Sequence, residues 1–273
     1  MVSLIDTHNH LDAPSFDADR ELLVREAKDA GVIDALICSG IPGTWKKTRA
    51  VAHQVAWHYA LGVHPLYINE VSDSDALLRD LTGRIEALLS DNLFAAVGEI
   101  GLDGFVPGLN AEKMLTLFRG QLEIAAHFDL PVSVHARHCV DTVSRELARH
   151  RSTGGVVHAF NGSVEQAKRL VGLGMKLGFG GALTYTGSRR IRRVFTELSD
   201  TDFVLETDAP DMPGALRRTE KDTRTHVSDI TRVLECAATL RGTDSETVAY
   251  LATQNALEAF PRMCLGKTHS VAF

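Results

Sequence analysis

The sequence has no long uninterrupted apolar segment, and no positively charged leader precedes its first apolar run, which begins at Val2. A membrane-spanning helix needs about 20 apolar residues and an export signal needs a charged start, so the chain is expected to stay in the cytoplasm with no membrane partner. Cysteine is scarce. Cys38, Cys139, Cys236 and Cys264 form no C-x-x-C pair, which excludes a zinc ribbon and favours a reduced cytosolic setting over a secreted, disulfide-stapled scaffold. Surplus basic charge is lacking as well. With 29 Lys and Arg against 35 Asp and Glu the net charge is −6, which argues against a surface that grips nucleic acid nonspecifically along its length. A local basic site, or metal ions that hold phosphate themselves, fit this balance. No Gly-x-Gly-x-x-Gly follows the first apolar run, and no linker or composition break divides the chain.

What is present is a regular alternation. The 273 residues, 44% hydrophobic and 23% charged, suffice for one large core; a chain of this size buries roughly 75% of the surface its unfolded form exposes. Short runs rich in Val, Ile, Leu and Phe predict strands at Val2 to Thr7, Ile33 to Ser39, Tyr59 to His64, Phe94 to Glu99, Pro131 to His135, Gly155 to His158, Lys176 to Phe179 and Phe203 to Thr207. Between them, apolar residues at three- and four-residue spacing predict helices such as Asp19 to Ala30, Asp75 to Ser90, Glu112 to Phe128 and Glu165 to Leu173. Gly31 and Gly174 punctuate helix ends. Eight strands alternating with helices describe an α/β fold, the closed (β/α)8 TIM barrel, which typically occupies about 250 residues. An open doubly wound sheet is the rival, but one switch-point crevice would not use residues at so many strand ends. The expected single domain covers residues 1–262, with a closing helix over Thr243 to Phe260, and a tail of 263–273 carries no readable signal.

Six side chains able to bind metal fall at five of the predicted strand ends: His8 and His10, Glu99, His135, His158 and Asp208. Residues two apart in a strand point the same way, so His8 and His10 can reach one ion together. Glu99 sits in Val97-Gly98-Glu99-Ile100-Gly101, a costly place for a carboxylate unless a cation or donor meets it. His135 and His158 each follow a β-branched stretch, and Pro210 stops the chain just beyond Asp208. Glu206, two residues before Asp208 on the same side, is expected one layer deeper, supporting a ligand or pairing with a basic residue. Six ligands exceed what one open catalytic ion takes. Two ions about 3.5 to 4 Å apart are therefore expected, with Glu99 bridging, His8, His10 and Asp208 on one side and His135 and His158 on the other. Such a pair suits in-line attack on a phosphodiester.

These residues resemble the TatD family of metal-dependent deoxyribonucleases and hydrolases, within the amidohydrolase-like barrels. The likeness is carried by Ile5 to Asp12 (IDTHNHLD), Leu61 to Pro65 (LGVHP), Ala96 to Asp103 (AVGEIGLD), Leu130 to Arg137 (LPVSVHAR), Val157 to Ser163 (VHAFNGS), Gly180 to Tyr185 (GGALTY) and Leu205 to Pro213 (LETDAPDMP). It implies that His8 and His10 bind a first metal, Glu99 bridges, His135 and His158 bind a second, and Asp208 ligates and orients the attacking water, making Asp208 and Glu99 the catalytic pair. The implied cofactors are two divalent ions, Mg²⁺, Mn²⁺ or Zn²⁺. The chain departs from the family at Asn9 and Ala159, where cysteine is usual, and in loop 214–225, where Arg217-Arg218-Thr219-Glu220-Lys221 replaces the usual signature after Asp211-Met212-Pro213.

An outer set is expected around the substrate. His64 is read as a phosphate or supporting contact, with a core histidine as the alternative; Arg137 as a phosphate contact; Tyr185 and Phe160 as rings for a base; and Glu206 close by. Of Arg189, Arg190, Arg192 and Arg193, no more than two should reach substrate, because four arginines in five positions cannot share one helix face. The function expected is a deoxyribonuclease acting on single strands or ends. The alternatives are hydrolysis of a small ester, lactone or amide, and a metal-holding scaffold without turnover. DNA is the expected partner, and no feature calls for an obligatory protein partner.

Overall fold

Eight apolar runs become eight parallel strands: β1 (Leu4–Asn9), β2 (Val32–Ser39), β3 (His58–Leu61), β4 (Phe94–Asp103), β5 (Val132–Arg137), β6 (Gly155–Val157), β7 (Met175–Phe179) and β8 (Phe203–Leu205). The structure, a computed structural model, describes residues 2–150 and 154–264. Each strand pairs with the next in chain order. Between them lie α1 (Arg20–Asp29), α2 (Trp45–Val55), α3 (Ser74–Leu88), α4 (Ala111–His127), α5 (Val140–Arg149), α6 (Val164–Gly172) and α7 (Arg189–Glu197); α8 (Ile230–Arg241) and α9 (Ser245–Ala259) follow β8. The chain is a single-domain (β/α)8 barrel. Among the described residues no helix is long and apolar enough to cross a membrane.

Strand periodicity sorts two cores. Leu4, Ala35, Ile37, Tyr59, Val97, Val157, Phe203 and Leu205 pack outward against the helices. Their neighbours Ile5, Leu36, Cys38, Ala60, Ala95, Ala96, Val156 and Val204 form a separate inner cluster with Phe260 and Met263. Met263, 1% exposed, lies one residue past the expected boundary at 262; 265–273 lies outside the described residues. Small inner side chains leave the barrel narrow, which draws the strand ends toward one centre. The strand ends depart from their expected positions at β4 and β5, which run on to Asp103 and Arg137 because their ladder resumes beyond Glu99, pairing Ile100 with Val134 and Asp103 with Arg137. β3 and β8 stop short of His64 and Thr207, so these residues sit in loops.

The seam between β8 and β1 is closed by side chains as much as by backbone. Thr7 Oγ1 donates to Leu205 O at 3.1 Å, Asp208 N to His8 O at 2.9 Å and His10 N to Ala209 O at 2.7 Å. Asp6 carries the centre of the seam. Its Oδ1 accepts from His8 N at 3.2 Å and Thr207 N at 3.0 Å, and its Oδ2 accepts from Asn9 Nδ2 at 3.3 Å and Thr207 Oγ1 at 2.7 Å. Burial pushes the Asp6 carboxyl up to about 7, and these donors pull the other way. Four donors converging on two oxygens match a carboxylate and leave no place for an amide hydrogen. Asp6→Asn should therefore set a donor against a donor and cost about 1–3 kcal/mol, read as a lower midpoint in urea unfolding; an unchanged midpoint would remove the seam from this account.

Candidate metal centre

All six predicted ligands converge at the carboxyl ends of the strands. His8 lies in β1 and His10 just after it, Glu99 in β4, His135 in β5, His158 directly after β6, and Asp208 in the loop after β8. Glu99 sits in a bulge, where pairing with β5 shifts between Val97 and Ile100. Gly101 makes that bulge possible: its φ is +143°, and a Cβ there would lie 2.1 Å from His135 O.

The two oxygens of Glu99 face two different groups. Oε2 is 3.3 Å from His8 Nε2 and 3.4 Å from His10 Nε2, and Asp208 Oδ1 completes that side at 3.6 and 3.3 Å from the same two nitrogens. Oε1 is 2.8 Å from His158 Nε2, 3.2 Å from His135 Nδ1 and 3.1 Å from His64 Nε2. Among the described residues, three combinations bring ligand atoms close enough to hold an ion: His8, His158 and Asp208; His8, His10 and Glu99; and His64, Glu99 and His135.

Hydrogen bonds on the far ring nitrogens decide which imidazoles can offer a lone pair. His10 Nδ1 lies 2.7 Å from Cys38 O, which can only accept, so Nδ1 carries hydrogen and Nε2 is the free donor atom. His135 Nε2 lies 3.0 Å from Asp103 Oδ2 and likewise carries hydrogen, freeing Nδ1 toward Glu99. His8 Nδ1 rests on Ser133 Oγ at 2.9 Å. Its buried Nε2 has no aligned hydrogen-bond partner, as befits a nitrogen aimed at an ion. His64 is the reverse case: Leu66 N donates to its Nδ1 at 3.1 Å, so the neutral ring carries hydrogen on Nε2 and donates to Glu99. In this tautomer His64 donates to Glu99 Oε1 and offers no lone pair inward. The donor set of the other six fits a divalent ion, being imidazole and carboxylate around a buried centre.

Charge follows the same division. Burial would raise the pKa of Glu99, but His64, His158 and His8 hold it well below the usual carboxylate range. Burial, then His158, lowers His8 to about 4. Burial opposes protonation of His10 and His135 too, yet Asp208 and Glu99 lift His10 to about 10, and Asp103 and Glu99 lift His135 to about 9. Protons thus sit where cations are favoured.

The outer residues fare differently. Arg137 is exposed, with its guanidinium 3.7 Å from the centroid of the Phe105 ring. Tyr185 donates its hydroxyl to Pro213 O at 2.7 Å and lines an open cleft over the loops after β7 and β8. Phe160, 3% exposed, belongs to the packed core and offers no free face to a base. Arg193 pairs with Glu197 at 2.6 Å and Arg190 bonds Asn161 at 2.7 Å. Asn9 bonds Asp6 and the Leu11 amide, away from the ligand cluster. Two residues escaped the sequence reading. Asp103 was legible in the two-residue period running from Glu99 through Gly101. Phe105, 52% exposed at the mouth, had no signal beyond its place after a strand.

Glu206 meets no lysine or arginine side chain among the described residues. Its Oε1 accepts from Ala159 N, lies 3.9 Å from His158 Nδ1, and its buried Oε2 has no hydrogen-bond partner. Burial raises its pKa well above the usual range, so the carboxyl is neutral. Gly178 gives it room, since a Cβ there would stand 2.1 Å from Oε2. Glu206→Gln should therefore keep the fold and metal uptake, whereas Gly178→Ala should lower the melting temperature by several degrees, a cost of about 1–3 kcal/mol. Loss of metal from Glu206→Gln would show that an ionised carboxylate is required.

Comparison with known proteins agrees with the geometry. The family model described as TatD related DNase matches residues 5–261. An uncharacterized metal-dependent hydrolase, YjjV of Escherichia coli, is 39% identical over 211 residues, covering 77% of this chain and 80% of the relative. A 3'-5' ssDNA/RNA exonuclease TatD of Erwinia billingiae is 28% identical over 266 residues, covering 94% and 98%. The crystal structure of the Escherichia coli TatD homolog YjjV superposes with a TM-score of 0.87 at 34% identity, covering 94% of this chain and 98% of that one. The chain therefore belongs to the TatD family of metal-dependent hydrolases.

Proposed function

We propose that the protein is a deoxyribonuclease that hydrolyses phosphodiester bonds of single-stranded DNA or DNA ends with two divalent ions. The observation that carries this reading is the split of Glu99, whose Oε2 faces His8, His10 and Asp208 while Oε1 faces His135 and His158. A carboxylate shared between two ligand sets suits a pair of ions, and a pair suits in-line displacement at phosphorus. The exonuclease name of the Erwinia relative supports the same substrate class. The four cysteines are unpaired, which suits a cytoplasmic setting.

His8, His10 and Asp208 would hold one ion, His135 and His158 the other, and Glu99 both; Mg²⁺, Mn²⁺ and Zn²⁺ are the ions to test. The ions would supply Lewis acidity toward the phosphoryl oxygens and the attacking water. The protein does the rest. Asp208 is held ionised, because burial, which would raise it, is outweighed by its hydrogen bond with His10 and the positive charge of that ring. It stands at the mouth, in the loop after β8, where it can align a water and take its proton. His64, donating to Glu99 Oε1 from Nε2, keeps that carboxylate from turning. Asp103 and Ser133 fix the rings of His135 and His8.

The direct test is cleavage of end-labelled single-stranded DNA by metal-stripped protein reconstituted with Mg²⁺, Mn²⁺ or Zn²⁺. Metal-dependent shortening is expected, and Asp208→Asn should reduce it by about 10²–10⁴-fold with an unchanged melting temperature. Absence of cleavage with every ion, beside turnover of a lactone or small ester, would replace the nuclease reading with the small-molecule one. Metal uptake should also release protons. His10 and His135, raised to about 10 and 9, are protonated at pH 7 in the metal-free protein and must give up those protons to bind. Affinity should climb with pH until about pH 9–10, and calorimetry in buffers of different ionisation enthalpy should find net release; no release would place the ions elsewhere.

A further inference from the structure

The loops after β7 and β8 border an open cleft of about 580 Å³ lined by Tyr185, Ser188, Met212, Pro213, Arg218 and Thr223. That volume lies within the range of sites for small molecules, roughly 300–1,000 Å³, and exceeds what one phosphate group needs. Ala182 and Met212 are shared walls between it and a narrower pocket whose lining includes Glu206, Thr207 and Asp208. The cleft is thus next to the metal centre and outside it.

Its outer wall is built to stay in place. Arg217 grips Asp229 through two bonds, at 2.7 and 2.8 Å, and Glu220 at 2.6 Å. Arg232 joins Glu220 at 2.7 Å, and Arg224 joins Asp19 at 2.6 Å and Asp222 at 2.7 Å. Ala215 N donates to Thr184 Oγ1 at 2.8 Å and Tyr185 Oη to Pro213 O at 2.7 Å, tying the two loops together. Three arginines of this region are therefore neutralised within the protein. Arg218 is not: among the described residues its guanidinium has no hydrogen-bond or ion-pair partner, and it is exposed on the cleft wall. A fixed loop, an apolar floor of Tyr185, Met212 and Pro213, and one unneutralised guanidinium make a place for a group that is part ring and part anion.

The geometry points to a subsite for the nucleotide next to the scissile bond, with Arg218 contacting its phosphate and Tyr185 and Met212 its base or sugar. This rests on the phosphodiester reading and adds that substrate choice lies in the 214–225 loop. With a net charge of −6 the chain as a whole does not draw a polyanion, so one unneutralised guanidinium beside the site counts for more.

The test compares a single-stranded oligonucleotide with bis(p-nitrophenyl) phosphate, whose only anionic group is the diester that is cut. Arg218→Gln should lower kcat/KM on the oligonucleotide about tenfold, the effect of one charge-assisted contact, mainly through KM. It should also reduce the slope of log affinity against log salt by about 0.7. Arg218→Lys should restore most of the salt slope, and hydrolysis of the small diester should be unchanged. Equal loss on both substrates, or loss on neither, overturns the subsite. If the wild-type protein cuts neither diester, the nuclease reading fails by itself. Fluorescence anisotropy of a labelled oligonucleotide needs no turnover and still decides this inference: equal Kd for wild type and Arg218→Gln would overturn it.

Discussion

A carboxylate buried at the centre of a barrel must meet positive charge on both of its oxygens, and Glu99 is that group here. With only 2% exposure it has no water to turn to, and in an apolar setting it would protonate or force the fold open. Five histidine nitrogens surround it instead. The rest of the structure follows from bringing them there. Strands β1, β4 and β5 and the turns after β1, β3 and β6 must end at one height, and the glycine at position 101 must let β4 approach β5 beside Glu99 and His135.

What fits this cluster to hold metal is the layer behind it. Acceptors on the far nitrogens, Cys38 O for His10 and Asp103 for His135, leave the inward nitrogens with free lone pairs. At His64 the far nitrogen meets a backbone donor, and the same chemistry makes that ring a hydrogen-bond donor to Glu99. A single hydrogen bond on the far nitrogen thus separates His10 and His135, which can offer a lone pair, from His64, which donates. Glu206 adds a neutral carboxyl beneath His158, kept uncharged by burial and accommodated by Gly178.

Much of this was legible in the sequence because strand ends carry their own signal. A β-branched run followed by His, Glu or Asp places that side chain at a barrel mouth once the eight-fold alternation is recognised, which is why all six expected ligands lie in one cluster. Features that depend on contacts between distant segments were not legible. Asp6 reads as part of an apolar strand end, and its task of stitching β1 to Thr207 across the seam is visible only in three dimensions. His64 could be placed near the site, but the direction of its hydrogen bond depends on a local turn at Leu66. Phe160 offers a ring for a base on sequence grounds alone, and the fold packs it into the core. Loop 214–225 departs from the family's usual sequence, and its ion pairs with Asp19 and Asp229 explain how a different set of residues still holds a rigid wall.

Under the proposed function, Glu99 joins two ions through its two oxygens. The most direct measurement is the electron paramagnetic resonance spectrum of metal-stripped protein loaded with Mn²⁺. An exchange-coupled pair, with two ions bound per chain, is the spectrum predicted for a shared carboxylate, and Glu99→Gln should collapse it to isolated ions. A spectrum of a single uncoupled Mn²⁺ at saturation in the wild-type protein would contradict the account.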